Sequence, residues 1–272
     1  MAYSRDANPP WFWYDFTPDA LVRGVCENFS SPDIFIWPED SDGVPNWFSW
    51  ASPHLNDAPD AEALAGRQAA LKAVFDGAML LVLGLKYVPI RLQLAASDRD
   101  DPNGILRWHG GKGDVTRAPF SSAYLAQHAD PLRNPLNNEI TKLIFLARFD
   151  PLAKDMLLYV GVQGPTYISL YALTDWMTQR PGWDKNRVAS EAGLSKSRYN
   201  DFTATANNPA YLGPFCRHGG IDTPPKRPMP YEDAEGPIRT AARAFLDELA
   251  SDADLDEKWR LMSQPKPKSG TS

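Results

Sequence analysis

Hydrophobic residues recur every three to four positions in several long segments of the chain, a spacing typical of helices with one buried face. The clearest segment contains Leu64, Leu71, Val74, Phe75 and Met79. The apolar stretch Met156–Val162 fits either a strand or a turn of helix. The spacing predicts helices over Asp60–Leu83, Asn138–Phe149, Tyr167–Arg180 and Glu235–Leu249.

Aromatic and β-branched residues between turn formers predict short strands in the N-terminal half. Five of the nine Trp lie in the first fifty residues, and rings of this kind usually form a core. Pro89 is expected at the start or edge of its strand. The predicted strands are Asp33–Trp37, Asn46–Trp50, Tyr87–Ala95 and Ile105–Trp108.

The order of these elements predicts an α+β fold with three regions. Residues 1–130 form an aromatic-rich region with a small sheet and a long helix. Residues 131–250 form a mainly helical region, and residues 251–272 form a polar, partly disordered tail. The pattern leaves open whether the first two regions share a core.

Charge and composition narrow the class of protein. The chain has a formal net charge of −6, which argues against a surface coated in positive charge for sequence-independent binding of nucleic acid. No apolar run reaches the ~18 to 20 residues that span a bilayer, and the N-terminus lacks the pattern of a secretion signal. We therefore expect a soluble cytoplasmic protein that is not bound to a membrane.

The residues that usually carry metal or disulfide chemistry are few and widely separated. Cys26 and Cys216 lie far apart, and none of the four histidines forms a short-spaced pair. We predict no disulfide framework, no metal site and no cofactor.

One segment, Asn186–Phe202, combines small, glycine and apolar residues at the spacing of two helices joined by a tight turn. Ala189 is small where two helices approach closely, Gly193 suits a left-handed turn, and Ser195 is a predicted N-cap. The segment resembles the helix-turn-helix of bacterial repressors. The same pattern also fits a structural corner that binds no DNA.

The resemblance implies DNA contacts at the start of the second helix. Lys196, Ser197 and Arg198 would lie on the first turn, where a recognition helix meets base edges and phosphates. Residues 176–218 hold six basic and three acidic residues, a local excess of positive charge.

A second pattern extends beyond this segment. It comprises Phe202–Pro209, Gly213, Arg217–Gly219, a proline-rich arm over Ile221–Pro230, and the helix around Ile238–Leu249. It is similar to the C-terminal end of a scattered set of bacterial proteins without an assigned activity. The resemblance implies a helical module that ends in an arm and a docking helix. Asn207 is expected to end its helix, as a residue that tolerates the left-handed conformation.

The glycine turn that begins at His109 is a candidate anion site. Successive backbone N–H groups beside Lys112 could bind a phosphate or carboxylate, with His109, Asp114 and Arg117 assisting. The alternative is a hairpin turn that exposes Lys112.

These observations support three hypotheses of function. The first is a non-catalytic cytosolic interaction or adaptor protein that binds a protein partner or a second copy of itself, suggested by the aromatic N-terminus, the proline arm and the terminal amphipathic helix. The alternative is a DNA-binding transcriptional regulator that uses residues 186–202. The second alternative is an enzyme with an anion-binding loop at residues 109–117.

Overall fold

A four-stranded antiparallel sheet and a larger set of helices form the described part of the chain. This computed structural model describes residues 12–39, 47–97, 118–125, 130–216 and 224–264. The strand order in the sheet is β2-β3-β1-β4. The strands are β1 (Phe12–Phe16), β2 (Phe35–Glu39), β3 (Trp47–Ala51) and β4 (Gln93–Ser97). The predicted α+β fold class is confirmed.

Aromatic residues make one face of the sheet apolar. Phe12, Tyr14 and Phe16 alternate along β1 and are buried, whereas the two residues between them are only partly buried. Phe48 and Trp50 of β3 pair opposite Phe16 and Tyr14 and are also buried. Most of the described aromatic residues of this sheet are therefore core, as expected; Trp47 is an exception at 37% exposed, and Trp11 lies outside the described residues. Strand β1 was not predicted from the sequence.

The strand predicted over Tyr87–Ala95 starts later than expected. Strand β1 pairs with β4 only from Gln93 onward. The hydroxyl of Tyr87 instead donates to Asp76 at 2.5 Å and accepts from the backbone N–H of Ile90 at 3.4 Å. The prediction is wrong for residues 87–92 because side-chain contacts, not ladder hydrogen bonds, hold them.

The four predicted helices are confirmed, with shifted ends. The last is longer than predicted, and the apolar stretch Met156–Val162 lies inside a helix. The helices of the described residues are α1 (Ala20–Glu27), α2 (Ala61–Leu83), α3 (Ser122–Leu125), α4 (Glu139–Phe149), α5 (Pro151–Gln163), α6 (Tyr167–Met177), α7 (Lys185–Glu191), α8 (Lys196–Ala206), α9 (Pro209–Leu212), α10 (Tyr231–Asp252) and α11 (Leu255–Ser263).

The long helix α2 packs most extensively on α5, at a close crossing. A Cβ atom added at Gly77 would lie 2.1 Å from the carbonyl oxygen of Leu157, and one added at Gly161 would lie 1.9 Å from that of Ala73. The two glycines therefore allow the backbones to touch at this crossing.

Helix α2 differs from the expectation that no apolar stretch of the chain is long enough to span a bilayer. Together with the 3-10 turn after it, Ala61–Lys86 is the one stretch of the described residues that is long and apolar enough to cross a membrane. Of its most apolar 18-residue segment, 67% is buried inside the protein. Most of this segment therefore belongs to the protein core.

The buried apolar residues form one cluster that runs from the sheet to the C-terminal helices. The regions predicted on either side of residue 130 therefore share a core. The cluster also includes Leu255 and Trp259 of α11, and the ring of Trp259 packs edge-on against Phe145 at 6.0 Å. Ordered structure thus continues into the segment predicted as a polar tail; residues 265–272 lie outside the described part.

Candidate nucleic-acid interface

Helices α7 and α8 meet at a tight corner formed by residues 192–195. Gly193 has a φ of +63°, so the predicted left-handed turn is confirmed. The backbone N–H of Leu194 donates to the carbonyl of Ala189 at 2.8 Å and closes the turn.

Side-chain caps fix the start of both helices. Asp184 accepts from the backbone N–H of Arg187 at 2.8 Å, and this hydrogen bond lowers the pKa of the Asp184 carboxyl. Ser195 accepts from the backbone N–H of Arg198 at 3.2 Å, which confirms the predicted N-cap of α8. The orientation of α8 is therefore set locally.

The corner has a buried interior that it shares with α6. Val188 and Ala189 of α7 and Tyr199 and Phe202 of α8 are buried. The ring of Phe202 stacks on Tyr171 of α6 at 6.3 Å between centroids. The three helices α6, α7 and α8 thus pack as one unit.

Residues of α8 that recur every three or four positions form three different stripes. The inner stripe is buried in the core, as described above. A second stripe, comprising Ser197, Asp201 and Thr205, contacts the proline-rich arm. The third stripe, which we call the exposed stripe, comprises Lys196, Asn200 and Ala204, and all three residues are exposed.

The structure brings the three predicted DNA contacts together on the first turn of α8. Lys196 and Ser197 are exposed, whereas Arg198 is partly buried. Arg198 lies 3.4 Å from a carboxylate oxygen of Asp233 and 4.0 Å from one of Asp201. The guanidinium of Arg198 therefore faces two carboxylates of the same chain, at the distances of weak, partly exposed ion pairs.

Asn200 and Ala204 were not predicted from the sequence to share a surface with Lys196. The available signal was their spacing, since residues four and eight positions after Lys196 lie on the same face of a helix.

The described part of the proline-rich arm, residues 224–230, lies along α8. The backbone N–H of Met229 donates to the hydroxyl of Thr205 at 2.9 Å, and the Tyr167 hydroxyl donates to the carbonyl of Met229. The Met229 side chain is fully buried. Earlier in the arm, Arg227 reaches the hydroxyl of Ser197 at 3.5 Å. The arm is thus anchored at Met229 and carries exposed cations beside the start of α8.

The end of α8 differs from the prediction at one residue. Asn207 does follow the helix, but its φ of −98° is not left-handed. Its side-chain amide donates to the carbonyl of Thr203 at 2.9 Å, so a side-chain hydrogen bond satisfies the helix end. Arg217 and His218 lie outside the described residues.

A buried polar cluster lies between the sheet and α4, far from α8 in sequence. One carboxylate oxygen of Asp33 accepts from Nε2 of His54 at 2.8 Å and from Arg148 at 2.9 Å. The three side chains are at most 1% exposed. Burial alone would raise the pKa of Asp33, but Arg148 and His54 outweigh burial and hold it below its usual value. Burial lowers the pKa of His54.

The hydrogen bonds of this cluster give His54 a structural role. The backbone N–H of Ser121 donates to Nδ1 of His54 at 3.0 Å, so the proton of the neutral ring is on Nε2 and points to Asp33. The hydroxyl of Ser121 donates to Asp57 at 2.6 Å, not to the imidazole. A serine nucleophile needs its hydroxyl on the imidazole, so these residues do not form a catalytic triad.

The remaining candidate sites are quickly located. The predicted anion loop, with His109, Lys112, Asp114 and Arg117, lies outside the described residues. Within the described ranges, no group of three or more His, Cys, Asp or Glu side chains could hold a metal ion.

Comparison of the chain with protein-family models, with curated proteins and with solved structures gives no match. The function must therefore be inferred from the geometry of this chain.

Proposed function

We propose that this protein binds duplex DNA through α7 and α8, with α8 as the recognition helix. The observation that carries the proposal is the exposed stripe, Lys196, Asn200 and Ala204, on a helix whose start is capped by Ser195 and whose corner is fixed by Gly193. A short helix held rigidly against two others, with one free face, is the geometry that a helix-turn-helix places in the major groove.

The exposed stripe has side chains suited to reading bases. Lysine donates to the O6 and N7 atoms of guanine, and asparagine can make two hydrogen bonds to adenine. The methyl group of Ala204 can contact the methyl group of thymine. Ser197 on the adjacent stripe is exposed and can donate to a phosphate.

The features that suggested a protein partner are buried or anchored inside this chain. The apolar face of α10 is buried, with Ile238, Phe245 and Leu246 in the core. The proline arm is anchored by the buried Met229, and the rings of the N-terminal sheet are largely core. These features do not require an external partner, which favours DNA binding over the adaptor hypothesis. A cytoplasmic location is part of the proposal.

The proposal is tested by selecting ligands from a random duplex library. We expect selection with the wild type to recover a sequence motif. Asn200→Ala should lose the preference at one base pair, where the wild type discriminates by about 1–3 kcal/mol. Lys142→Gln serves as a control because Lys142 lies on α4, where it pairs with Asp247 at 2.8 Å. The control should recover the wild-type motif. Failure of the wild type to retain any duplex at low salt would refute the proposal.

A second candidate, binding of a protein partner, is favoured by one observation. Phe215 is 74% exposed and Tyr211 is 43% exposed, both shortly after α8. Neighbouring exposed rings often mark an interaction site. If this surface binds a protein or a second copy of the chain, Phe215→Ser should abolish the complex in sedimentation analysis and leave DNA binding unchanged.

A further inference from the structure

Two cations of the proline-rich arm, Lys226 and Arg227, lie next to the exposed stripe of α8. Lys226 is exposed, and the side chain of Arg227 is 73% exposed. Arg227 lies 3.5 Å from the Ser197 hydroxyl and 4.0 Å from a carboxylate oxygen of Asp201. Contacts this long between exposed groups contribute little to stability. The two cations therefore have no evident role in holding the described fold together.

The arm is built to hold these cations in place. Pro225 and Pro228 flank Lys226 and Arg227, and proline fixes φ and so restricts the chain. Two residues after Arg227, the backbone of the buried Met229 is hydrogen-bonded to Tyr167 of α6 and to Thr205 of α8. Lys226 and Arg227 thus extend from a restricted segment with a fixed anchor, which lowers the entropy lost when they bind a ligand.

We propose that this arm is a second part of the DNA interface, in which Lys226 and Arg227 bind backbone phosphates beside the groove that α8 enters. This inference rests on the proposed function. Its basis is the position of the arm along the Ser197, Asp201 and Thr205 stripe, which directly adjoins the exposed stripe. Phosphate contacts of this kind set the register of a protein on the duplex and supply affinity without sequence preference.

Carboxylates of the chain lie beside two cations of this surface, Arg198 at the start of α8 and Arg227 of the arm. Asp233 lies 3.4 Å from Arg198, and Asp201 lies within 4.0 Å of both Arg198 and Arg227. A bound phosphate must displace these ion pairs. The carboxylates therefore hold the affinity of the free protein for DNA below the value that its cations could give.

The test of the arm compares two variants that lose the same charge. Lys226→Gln/Arg227→Gln removes the two arm cations. Lys142→Gln/Arg243→Gln removes two cations on α4 and the later part of α10, each paired at the surface. The measurement is the affinity for a duplex selected by the wild type, across a salt series, with thermal unfolding as a check of the fold.

We expect the arm variant to bind more weakly and to reduce the slope of log affinity against log salt by about 2, since each phosphate contact contributes about 0.9. The control should keep the wild-type slope. If the wild type binds and the arm variant behaves like the control, the arm inference is overturned and the proposed function stands. If the wild type binds no duplex, both fall.

The role of Asp233 has its own matched control. Asp233→Asn should tighten binding by about 2- to 5-fold relative to Glu232→Gln, the range expected for one exposed ion pair. Glu232 is exposed and adjacent, so its variant corrects for the general loss of negative charge. Equal affinities for the two variants would show that the pair with Arg198 does not restrain binding.

Discussion

At the residue scale, His54 makes the stability of the protein sensitive to acid. Its pKa lies below the ordinary value of about 6.5 because the ring is buried. As the pH falls below 6.5, an unfolded chain takes up a proton at this residue more readily than the folded protein does. The unfolded state therefore binds more protons and is favoured as the pH falls.

His54→Gln removes this titration and keeps one donor and one acceptor for Asp33 and Ser121. Between pH 6.5 and pH 5, we expect the free energy of unfolding of the wild type to fall more steeply than that of the variant, by up to about 1.4 kcal/mol per pH unit. Urea unfolding at a series of pH values measures both slopes. Parallel curves would show that His54 does not take part.

The α2–α5 crossing gives a second prediction at this scale. Gly77→Ala should lower the free energy of unfolding by about 1–3 kcal/mol, because the new Cβ would clash with the backbone of Leu157. Gly24→Ala is the control: no atom lies within 4 Å of its Cβ position, and alanine is a better helix former. The control should raise the free energy of unfolding by about 0.5–1 kcal/mol. Equal effects in thermal unfolding would contradict the close crossing.

At the element scale, substitutions at the start of α8 can change stability and the proposed DNA binding separately. Ser195→Ala removes the cap and should lower the free energy of unfolding by about 1 kcal/mol. Ser195→Asp keeps a capping oxygen and suits the positive end of the helix, so it should preserve stability. Its added negative charge should nevertheless weaken binding to DNA. If Ser195→Asp binds DNA as tightly as the wild type, α8 does not approach the phosphates with its first turn.

The elements also show what sequence could predict. The helical spacing found α2, α4, α6 and α10, and the corner at Gly193 and Ser195 followed from turn and cap chemistry. The cluster of Asp33, His54 and Arg148 could not be predicted, since its members are brought together only by packing of distant segments.

At the scale of the whole molecule, the single core reaches into the segment predicted as a tail. Trp259→Ala should therefore lower the free energy of unfolding by about 3–5 kcal/mol, because a buried ring beside Phe145 is lost. Leu261→Ala, two residues on and 54% exposed, is the control and should change it by less than about 0.5 kcal/mol. Chemical denaturation compares the two variants. Similar small losses would mean that α11 does not dock on the core.

Net charge limits what kind of DNA binding the molecule can perform. With a charge of −6, binding must rely on a local group of cations, Lys196, Lys226 and Arg227. The two phosphate contacts proposed for Lys226 and Arg227 predict a slope of log affinity against log salt of about −2. A protein with so few phosphate contacts would need specific contacts with the bases in order to bind DNA.

The most direct test is fluorescence anisotropy of a labelled, selected duplex with the wild type, Lys196→Gln/Asn200→Ala and Lys142→Gln. We expect the wild type and the control to bind with the same salt dependence, and the double variant to lose most of its affinity while its thermal unfolding is unchanged. Binding by the double variant equal to that of the wild type would show that the exposed stripe of α8 does not read DNA.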